Sequence, residues 1–305
     1  MEFLVAGFEI IEQESGLEGI FKQAELPGRI CYGSQDKMAP GTAEKFVNGL
    51  MKSNHGAPLE HGSVYLKADD EYHGNPLDKY RDNPYSKLRS VNGTKYVSTN
   101  LRVLFENGWL KDLEDYLCEP TEFHEKRYTV RFTVDRFTGE EFLRHRKASF
   151  NRESTRYVLF TKEKFGGGSI KYIIPPWILD DKSRIEGYAE QDIDFYIDTM
   201  REYLQTKQPL DDIFAWTFAL KSAEWSYCYL VNECGWKAEQ ARTVLPCAIN
   251  SPLIKTAFLS DWKNFFNLRA KGTTGKPHPQ ALELAVPLMN EFINRGYLEP
   301  SFIDE

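Results

Sequence analysis

Residues 128–157 read YTVRFTVDRFTGEEFLRHRKASFNRESTRY, and their character changes halfway along. The first part alternates apolar and polar residues, which predicts a β-strand at residues 128–136. Residues 138–141 have the spacing of a capping box, so we expect a helix to begin at Gly139 and to run into Arg144-His145-Arg146. Because guanidinium groups bind phosphates and carboxylates in a fork, the arginine-rich end of the stretch is a candidate anion site.

The alternative is that residues 144–157 form a solvated basic surface, which is the usual meaning of an arginine-rich run. The formal net charge of the whole chain is −7, so the four arginines of this segment contrast with their surroundings. The acidic balance argues against a protein that coats nucleic acid, since coating requires a basic field. A small anionic ligand is compatible with it, because nearby cations decide its binding.

The composition indicates a folded protein without disulfides. The 305 residues are 41% hydrophobic and 14% aromatic, which excludes disorder along most of the length. The five cysteines form no Cys-x-x-Cys pair, which predicts a reducing compartment and neither a disulfide framework nor a zinc site. No apolar run approaches membrane-spanning length, and the first residues lack a basic segment before their apolar run. We therefore expect a cytoplasmic protein with no bound metal and no membrane or nucleic-acid partner.

The predicted elements, with strands first and helices later, indicate an α+β fold. We expect a mostly antiparallel central sheet with flanking helices, in a single domain that covers residues 1–305. Residues 69–93 are polar and rich in turn-forming residues, which predicts an excursion on the surface. The remaining predicted strands are residues 3–11, 63–68 and 170–174. The predicted helices are residues 16–24, 41–51, 100–117 with a break near 107–108, 191–206, 211–233, 237–244, 260–268 and 280–294.

A spaced motif lies within the arginine run. Ser154 follows Arg146 after seven intervening residues, which gives the pattern Arg-His-Arg-x7-Ser, and Arg156-Tyr157 comes next. This pattern resembles the signature of the flavin-dependent thymidylate synthases, the family that makes dTMP from dUMP with a reduced flavin. Further segments similar to that family's motifs occur in the same order: HGAPLEH at residues 55–61, ARTVLP at 241–246, NFFNLR at 264–269 and HPQ at 278–280. The resemblance covers most of the chain, and residues from about 69 to 125 look like an insertion relative to the shortest members.

The resemblance implies a methyltransferase with tightly bound FAD, 5,10-methylenetetrahydrofolate as carbon donor and NADPH as reductant. It also implies a homotetramer whose sites draw on several subunits, and Arg269 as the catalytic residue in place of a cysteine nucleophile. The residues it assigns to dUMP are Glu141, Arg144, Arg152, Glu153, Ser154, Thr155, Arg156, Arg242 and Arg269. The residues it assigns to FAD are His55, Arg144, His145, Arg146, Asn151, Arg152 and Asn264.

The sequence departs from the family's pattern at several of these positions. Glu141 stands where some members have a glutamine near the uracil. Arg152 occupies a position that can be glutamate, and Glu153 follows it, so either side chain could face the ligand. Ala57 replaces a threonine that can touch the flavin, and residues 258–260 lack the Asn-x-Arg contacts of some members.

Other candidate side chains have simpler interpretations. We expect His61 to be a structural histidine, and His73 and His124 to be solvated. Cys247 has apolar neighbours in sequence, so we expect it in the core rather than as a nucleophile, which needs a lowered pKa and a positioned base. Two other functions stay open: a non-catalytic nucleotide- or RNA-binding protein that uses the arginine run as a phosphate clamp, and a flavoprotein that only oxidises NADPH.

Overall fold

The computed structural model describes residues 1–69, 74–161 and 169–303. No helix among these residues is long and apolar enough to cross a membrane. The described strands are β1 (Glu2–Val5), β2 (Gly7–Ile11), β3 (Ser63–Asp69), β4 (Lys87–Val91), β5 (Thr94–Asn100), β6 (Arg127–Thr133), β7 (Ser149–Arg152), β8 (Lys171–Ile174) and β9 (Leu253–Phe258). The described helices are α1 (Gly16–Cys31), α2 (Thr42–Lys52), α3 (Leu101–Glu106), α4 (Asp112–Asp115), α5 (Arg136–Phe142), α6 (Lys182–Ala189), α7 (Ile193–Thr206), α8 (Asp212–Asn232), α9 (Ala238–Ala241), α10 (Leu259–Arg269) and α11 (Pro279–Asn294).

The central sheet has four antiparallel strands in the order β2-β6-β9-β7. Helices α5, α10 and α11 cover it through a core of fully buried aromatic residues that includes Phe132, Phe142, Trp262, Phe265 and Phe292. Burying several such rings supplies much of the driving force for this layer. The predicted α+β fold with a mostly antiparallel central sheet is therefore confirmed. One small departure is the parallel pairing of β1 with β8 outside the central sheet.

A second sheet, in the order β3-β5-β4, packs against α1, α2 and α3 with a core of its own. It corrects the expected surface excursion at residues 69–93, because β4 pairs with β5 and the side chains of Leu77 and Tyr80 are fully buried. The Tyr80 hydroxyl donates to the buried Asp112 carboxylate at 2.6 Å. That the chain is one domain with an insertion at about 69–125 stays a prediction.

Three predicted boundaries were wrong. The strand at residues 3–11 is divided at Ala6, because β1 and β2 pair in different sheets. Helix α1 continues through Pro27 to Cys31, since burial of Gly28 against Phe46 and of Ile30 outweighs the cost of an internal proline. Helix α5 begins at Arg136, three residues before Gly139, because Asp135 is its capping residue.

Strands β4, β5, β7 and β9 and helix α6 were not predicted. Strand β7 lies inside the arginine run, and its mostly polar residues do not show the apolar and polar alternation that predicts a strand. Strand β9 follows the helices in sequence and yet occupies the interior of the central sheet, between β6 and β7. The predicted strands at β3, β6 and β8 and the predicted helices at α2, α7, α8, α10 and α11 are confirmed, with small differences at their ends.

Candidate active site

Helix α5 is fixed at its start by the buried carboxylate of Asp135. Its Oδ1 accepts from the backbone N–H of Thr138 at 3.0 Å, and its Oδ2 accepts from the Thr138 hydroxyl at 2.6 Å. Gln280 of α11 donates to the same Oδ2 at 3.0 Å. An aspartate cap of this kind satisfies N–H groups that the helix cannot satisfy itself. The cap therefore holds α5 against α11 and positions Glu141, one residue before the end of α5.

Arg269, the last residue of α10, is held by two partners. Its Nη1 donates to Glu141 Oε2 at 2.6 Å, its Nη2 to the Glu141 carbonyl at 3.2 Å, and its Nε to His145 Nε2 at 3.2 Å. We call Glu141, His145 and Arg269 the inner cluster. Because all three guanidinium nitrogens have an acceptor, the orientation of this side chain is fixed by its own fold.

His145 accepts a hydrogen bond in this cluster and is packed against an aromatic ring. Its ring packs edge-on against Phe265, with 5.0 Å between ring centroids. Burial, then the positive charges of Lys255 and Arg269, lower the pKa of His145 to about 3. An Nε2 that accepts a hydrogen bond from Arg269 places the ring proton on Nδ1.

Three polar side chains beside the inner cluster are exposed. They are Arg144 and Arg146, which follow α5, and Asn264 on α10. Within the described ranges, none of the three has a side-chain hydrogen bond or an ion pair. Two guanidinium groups without protein partners among the described residues are free to bind an anionic ligand.

Arg152 and Glu153 leave the end of β7 in different environments. Arg152 Nη2 donates to Glu140 of α5 at 2.9 Å, while its buried Nη1 has no partner among the described residues. Burial raises the pKa of Glu153 to about 7, although Arg131 and Lys171 oppose that shift. Arg152 is thus turned toward α5, and Glu153 is poorly solvated. Which of the two faces a ligand stays a prediction.

A second group of arginines lies on the loop after β7 and directly after α9. Arg242 Nη1 donates to the Thr155 hydroxyl at 3.3 Å, and Arg156 forms an exposed ion pair with Glu239 at 3.6 Å. The Ser154 hydroxyl accepts from the backbone N–H of Arg156 at 3.3 Å. We call Ser154, Thr155, Arg156 and Arg242 the outer cluster. Residues 144–157 therefore contribute to two clusters, one before β7 and one after it.

His55 belongs to the surroundings of the outer cluster. Its Nδ1 is 2.9 Å from the hydroxyl of Tyr32, and the Tyr32 ring lies 5.5 Å from the ring of Tyr157. Tyr157 in turn lies beneath the guanidinium of Arg156, at 5.4 Å. The residues assigned to FAD by resemblance are therefore distributed between both clusters.

Asn151 and His61 are buried between the two sheets. The Asn151 amide donates to the Pro27 carbonyl at 3.3 Å, and the Asn151 side chain also interacts with the buried ring of His61. His61 Nδ1 is 2.7 Å from the hydroxyl of Thr256, and burial, then Arg127, lower its pKa to about 3. His61 has the structural setting that was expected of it.

Two expectations about the other histidines need comment. The expectation that His124 is solvated was wrong, because its side chain is buried. Its Nδ1 accepts from the backbone N–H of Thr121 at 3.0 Å, and its Nε2 lies 3.1 Å from the Leu66 carbonyl. Its polar neighbours in sequence gave no sign of this contact with β3. His73 lies outside the described residues.

A cavity of about 640 Å³ opens beside the inner cluster. Glu141, Arg144 and Cys247 line it, together with Trp177 and His278, whose rings meet edge-on at 6.0 Å. The expected core position of Cys247 was wrong, since its side chain is only half-buried and forms part of this wall. A chamber of this size accommodates a small organic ligand.

Sequence reasoning missed Trp177 and Lys255. Trp177 follows a proline pair, where a loop was expected, and 61% of it is exposed at the cavity. Lys255 interrupts an otherwise apolar run in β9, and its side chain is fully buried. A charged residue in an apolar run is the signal that could have found it.

Metal binding has no visible basis in the described ranges, where no group of three or more His, Cys, Asp or Glu side chains is placed to hold an ion.

Comparison with known proteins gives a family and a distant structural likeness. The family model described as thymidylate synthase complementing protein matches residues 96–293, which is well over half of the chain. No curated protein matches. The chain is similar to a UMP/dUMP methylase, PolB from Streptomyces cacaoi, in crystal structures with 5-Br dUMP and with 5-Br UMP. With 5-Br dUMP the identity is 17%, the TM-score 0.39 and the coverage 97% of this chain and 92% of that one. With 5-Br UMP the identity is 17%, the TM-score 0.41 and the coverage 96% and 91%.

The family match spans the central strands β6, β7 and β9, both arginine clusters and the helix that ends at Arg269. The chain belongs to the thymidylate synthase complementing protein family, the flavin-dependent thymidylate synthases.

Proposed function

We propose that the chain is a FAD-dependent thymidylate synthase, which converts dUMP to dTMP with 5,10-methylenetetrahydrofolate as carbon donor and NADPH as reductant. Membership of the family supports the methylation of dUMP. The observation that carries the proposal is the inner cluster, an arginine of fixed orientation whose partner Glu141 lines a cavity of about 640 Å³. That volume is within the range of small-molecule sites.

Arg269 has the properties of the catalytic residue. Methylation at C5 of uracil requires C5 to become nucleophilic, and negative charge then develops on the N–C=O system of the ring. A fixed guanidinium in a water-poor site stabilises such charge without reorganisation. Arginine carries five N–H groups, and Arg269 uses three of them on Glu141 and His145. Each Nη therefore keeps one N–H for the uracil.

Glu141 serves two purposes in this proposal. It holds Arg269, and it lines the cavity in which the base would lie. A carboxylate only accepts hydrogen bonds, whereas a glutamine both accepts and donates. In this chain Glu141 can therefore accept from the N3–H of uracil, and the donors to the uracil oxygens come from Arg269 and Arg144.

The outer cluster is suited to the phosphate of dUMP. Arg156 and Arg242 are exposed, and the hydroxyls of Ser154 and Thr155 lie beside them. Arginine forks and aimed hydroxyls are the usual partners of a phosphate. Holding the phosphate fixes the position of the base, and positioning supplies a large part of such catalysis.

Both clusters serve the same ligands in the proposed enzyme, and we propose a homotetramer in which one subunit gives the inner cluster and another gives the outer cluster. The positions assigned to FAD support this, because His55 lies at the outer cluster and Asn264 on α10 near the inner one. An exposed apolar surface on α8 supports it too. Trp225 and Tyr229 are about half exposed there, and their rings stack at 5.2 Å.

The described residues fit a flavin dinucleotide. Arg144 and Arg146 offer exposed guanidiniums for a diphosphate, and Asn264 offers an exposed amide. One buried atom without a partner among the described residues, Arg152 Nη1, is a further group that a bound ligand would satisfy. When bound, FAD supplies the hydride that completes the methyl group, after reduction by NADPH.

The proposal is tested by turnover of the purified protein. We expect bound FAD, visible in the absorption spectrum, and formation of dTMP from dUMP that requires methylenetetrahydrofolate and NADPH. NADPH oxidation without dTMP formation would favour a simple oxidase. Salt-sensitive binding of oligonucleotides by a protein that cannot be loaded with FAD would favour the phosphate clamp.

The position of Cys247 on the cavity wall calls for a separate test of thiolate chemistry. The Cys247→Ala variant should retain most of the activity, since uracil activation is assigned to Arg269. A loss in Cys247→Ala as large as that in Arg269→Ala would indicate a cysteine nucleophile instead. Cys234→Ala, at an exposed cysteine of the same chain, is the control for removing a thiol.

A further inference from the structure

Helix α5 and the turn after it form one wall of the cavity beside the inner cluster. The residues of this wall are Phe137, Glu140, Glu141 and Arg144. Residues spaced by three, four and seven positions lie on the same side of a helix, so these four share one face. The proposed function gives roles to Glu141 and Arg144 but not to Phe137 and Glu140.

Two aromatic side chains at this cavity are unusually exposed. Phe137 is 66% exposed and Trp177 is 61% exposed, and the ring of Trp177 meets that of His278 edge-on at 6.0 Å. The half-buried Trp216 lines the same cavity, with its ring 5.4 Å from that of Phe3. Large apolar rings left in water beside a cavity indicate a binding site, because a planar ligand that covers them gains from stacking and from burial.

The Glu140 carboxylate supplies hydrogen-bond acceptors beside these rings. Its Oε1 accepts from Arg152 Nη2 at 2.9 Å, and its side chain is 53% exposed. A carboxylate has about four lone-pair sites and no donor, so Glu140 can accept further hydrogen bonds without losing Arg152. The ligand that suits this arrangement is a planar ring with two neighbouring N–H donors, one for each carboxylate oxygen.

The pteridine ring of the carbon donor has this donor pattern. Its N3–H and its 2-amino group are neighbours on one edge of the ring. The pyrimidine edge of a flavin presents one N–H between two carbonyl oxygens, which a carboxylate repels. The carboxamide of nicotinamide presents its amino group beside a carbonyl oxygen. Glu140 therefore favours the pteridine over the other two ring systems.

We propose that Phe137, Trp177 and Glu140 form the pteridine site of the enzyme. The two rings pack against the pteridine, and Glu140 accepts from its N3–H and its 2-amino group. Glu140 and Glu141 line the same cavity, so the pteridine and the uracil lie side by side, as transfer of a one-carbon unit between them requires. The role of this site in the reaction rests on the proposed function, whereas binding of a pterin needs no turnover and can be tested separately.

The direct test compares pterin with lumazine, which has a carbonyl oxygen in place of the 2-amino group. Calorimetric titration of the purified protein, with dUMP present, should show pterin bound about tenfold more tightly, because Glu140 accepts from the amine and repels the carbonyl. In Glu140→Gln, which can still accept from Arg152 and can also donate, this preference should disappear. Glu202→Gln, at an exposed glutamate of α7, is the matched control and should keep it. Equal affinities of the wild type for the two probes would overturn the proposal.

Trp177→Ala tests the aromatic part of the site. The affinity for pterin should fall by about tenfold, as when one stacking ring is removed, and Trp177→Phe should restore most of it. Tyr85→Ala removes another aromatic side chain, 66% exposed and not among the residues that line the cavity, and should leave the affinity unchanged. If Trp177→Ala alters the oligomeric state and not the affinity for pterin, these rings belong to a subunit contact and the proposal is wrong.

Kinetics separate the site from the proposed function. In a protein that makes dTMP, Trp177→Ala should raise the KM for methylenetetrahydrofolate by about tenfold and leave the KM values for dUMP and NADPH unchanged. A rise in the KM for NADPH alone would assign the site to nicotinamide and contradict the proposal. A protein that prefers pterin as expected but forms no dTMP would refute the proposed function and leave the pteridine site standing.

Discussion

Arg269 of the inner cluster and Arg242 of the outer cluster carry the same guanidinium group in opposite settings. Arg269 donates three hydrogen bonds to two partners, and 22% of its side chain is exposed. Arg242 is exposed and, within the described ranges, donates one hydrogen bond from its side chain, to Thr155. Arg156 of the same cluster is 54% exposed and paired with Glu239, which is 45% exposed.

The difference indicates how each cluster would act. A guanidinium that is already oriented and partly desolvated can stabilise developing charge at once, because its surroundings need no rearrangement. An exposed guanidinium with few contacts becomes oriented only when the ligand binds. Such a group is suited to binding a phosphate, which is charged before and after the reaction. We therefore expect loss of the inner arginine to affect the rate of the chemical step, and loss of the outer arginines to affect affinity.

The largest expected effect is that of Arg269→Ala. We expect kcat to fall by about 100- to 1000-fold, the range found when one preorganised donor is removed from a developing charge. Steady-state kinetics of dTMP formation measure it. Arg295→Ala is the control, since Arg295, just after α11, is also paired with a carboxylate, that of Glu291 at 2.7 Å, and is not among the residues that line the cavity. A fall in kcat of equal size in both variants would mean that Arg269 has no special role.

The next effect is that of Arg242→Ala in the outer cluster. We expect the KM for dUMP to rise by about tenfold, equivalent to about 1.4 kcal/mol, with little change in kcat, because an exposed charged contact is lost in ground and transition state alike. The KM of the wild type should also rise with ionic strength, and that of the variant less so. Arg201→Ala removes another exposed arginine, one that pairs with Asp198, and should leave the KM unchanged. A fall in kcat at constant KM in Arg242→Ala would contradict the assignment of substrate affinity to the outer cluster and of the chemical step to the inner one.

The smallest effect concerns Glu153, which stands between the two clusters in sequence. Its pKa in the folded protein is raised to about 7, so the folded state binds its proton more tightly than the unfolded state does. Its contribution to stability is full below the unfolded pKa and is lost as pH rises through about 7. Glu153→Gln should therefore be more stable than the wild type at pH 8 by about 1 kcal/mol, after allowance for partial exposure, and equal to it at pH 4.5. Urea unfolding at a fixed protein concentration measures this difference, and an equal gain at both pH values would contradict it.

Much of the fold could be predicted because its signals are local. The alternation in β6 and the apolar spacing of α10 and α11 each depend on residues within one element. Strand β9 could not be predicted in this way, since its place in the sheet depends on pairing with β6 and β7, which lie more than 100 residues earlier. The burial of Leu77 and Tyr80 likewise follows from the second sheet and not from their polar neighbours.

The sequence predicted which residues belong to the candidate site, but not how their side chains contact one another. The motif spacing brought Arg144, His145, Arg269 and Arg242 forward as candidates. It gave no indication that His145 would accept from Arg269, or that Glu141 would occupy two of the guanidinium nitrogens. Those contacts depend on how α5 and α10 pack, which no local pattern specifies.

The central claim is that the inner cluster of one subunit works with the outer cluster of another. It is tested most directly by mixing Arg269→Ala and Arg242→Ala subunits after dissociation, at low dUMP, where Arg269→Ala is nearly inactive and Arg242→Ala keeps about a tenth of the wild-type activity. If sites are shared, random reassembly gives intact inner and outer clusters in about one site in four, and about a quarter of the wild-type activity should return. If mixing gives no more activity than the sum of the two variants, each subunit contains both clusters of its own site, and the account is wrong.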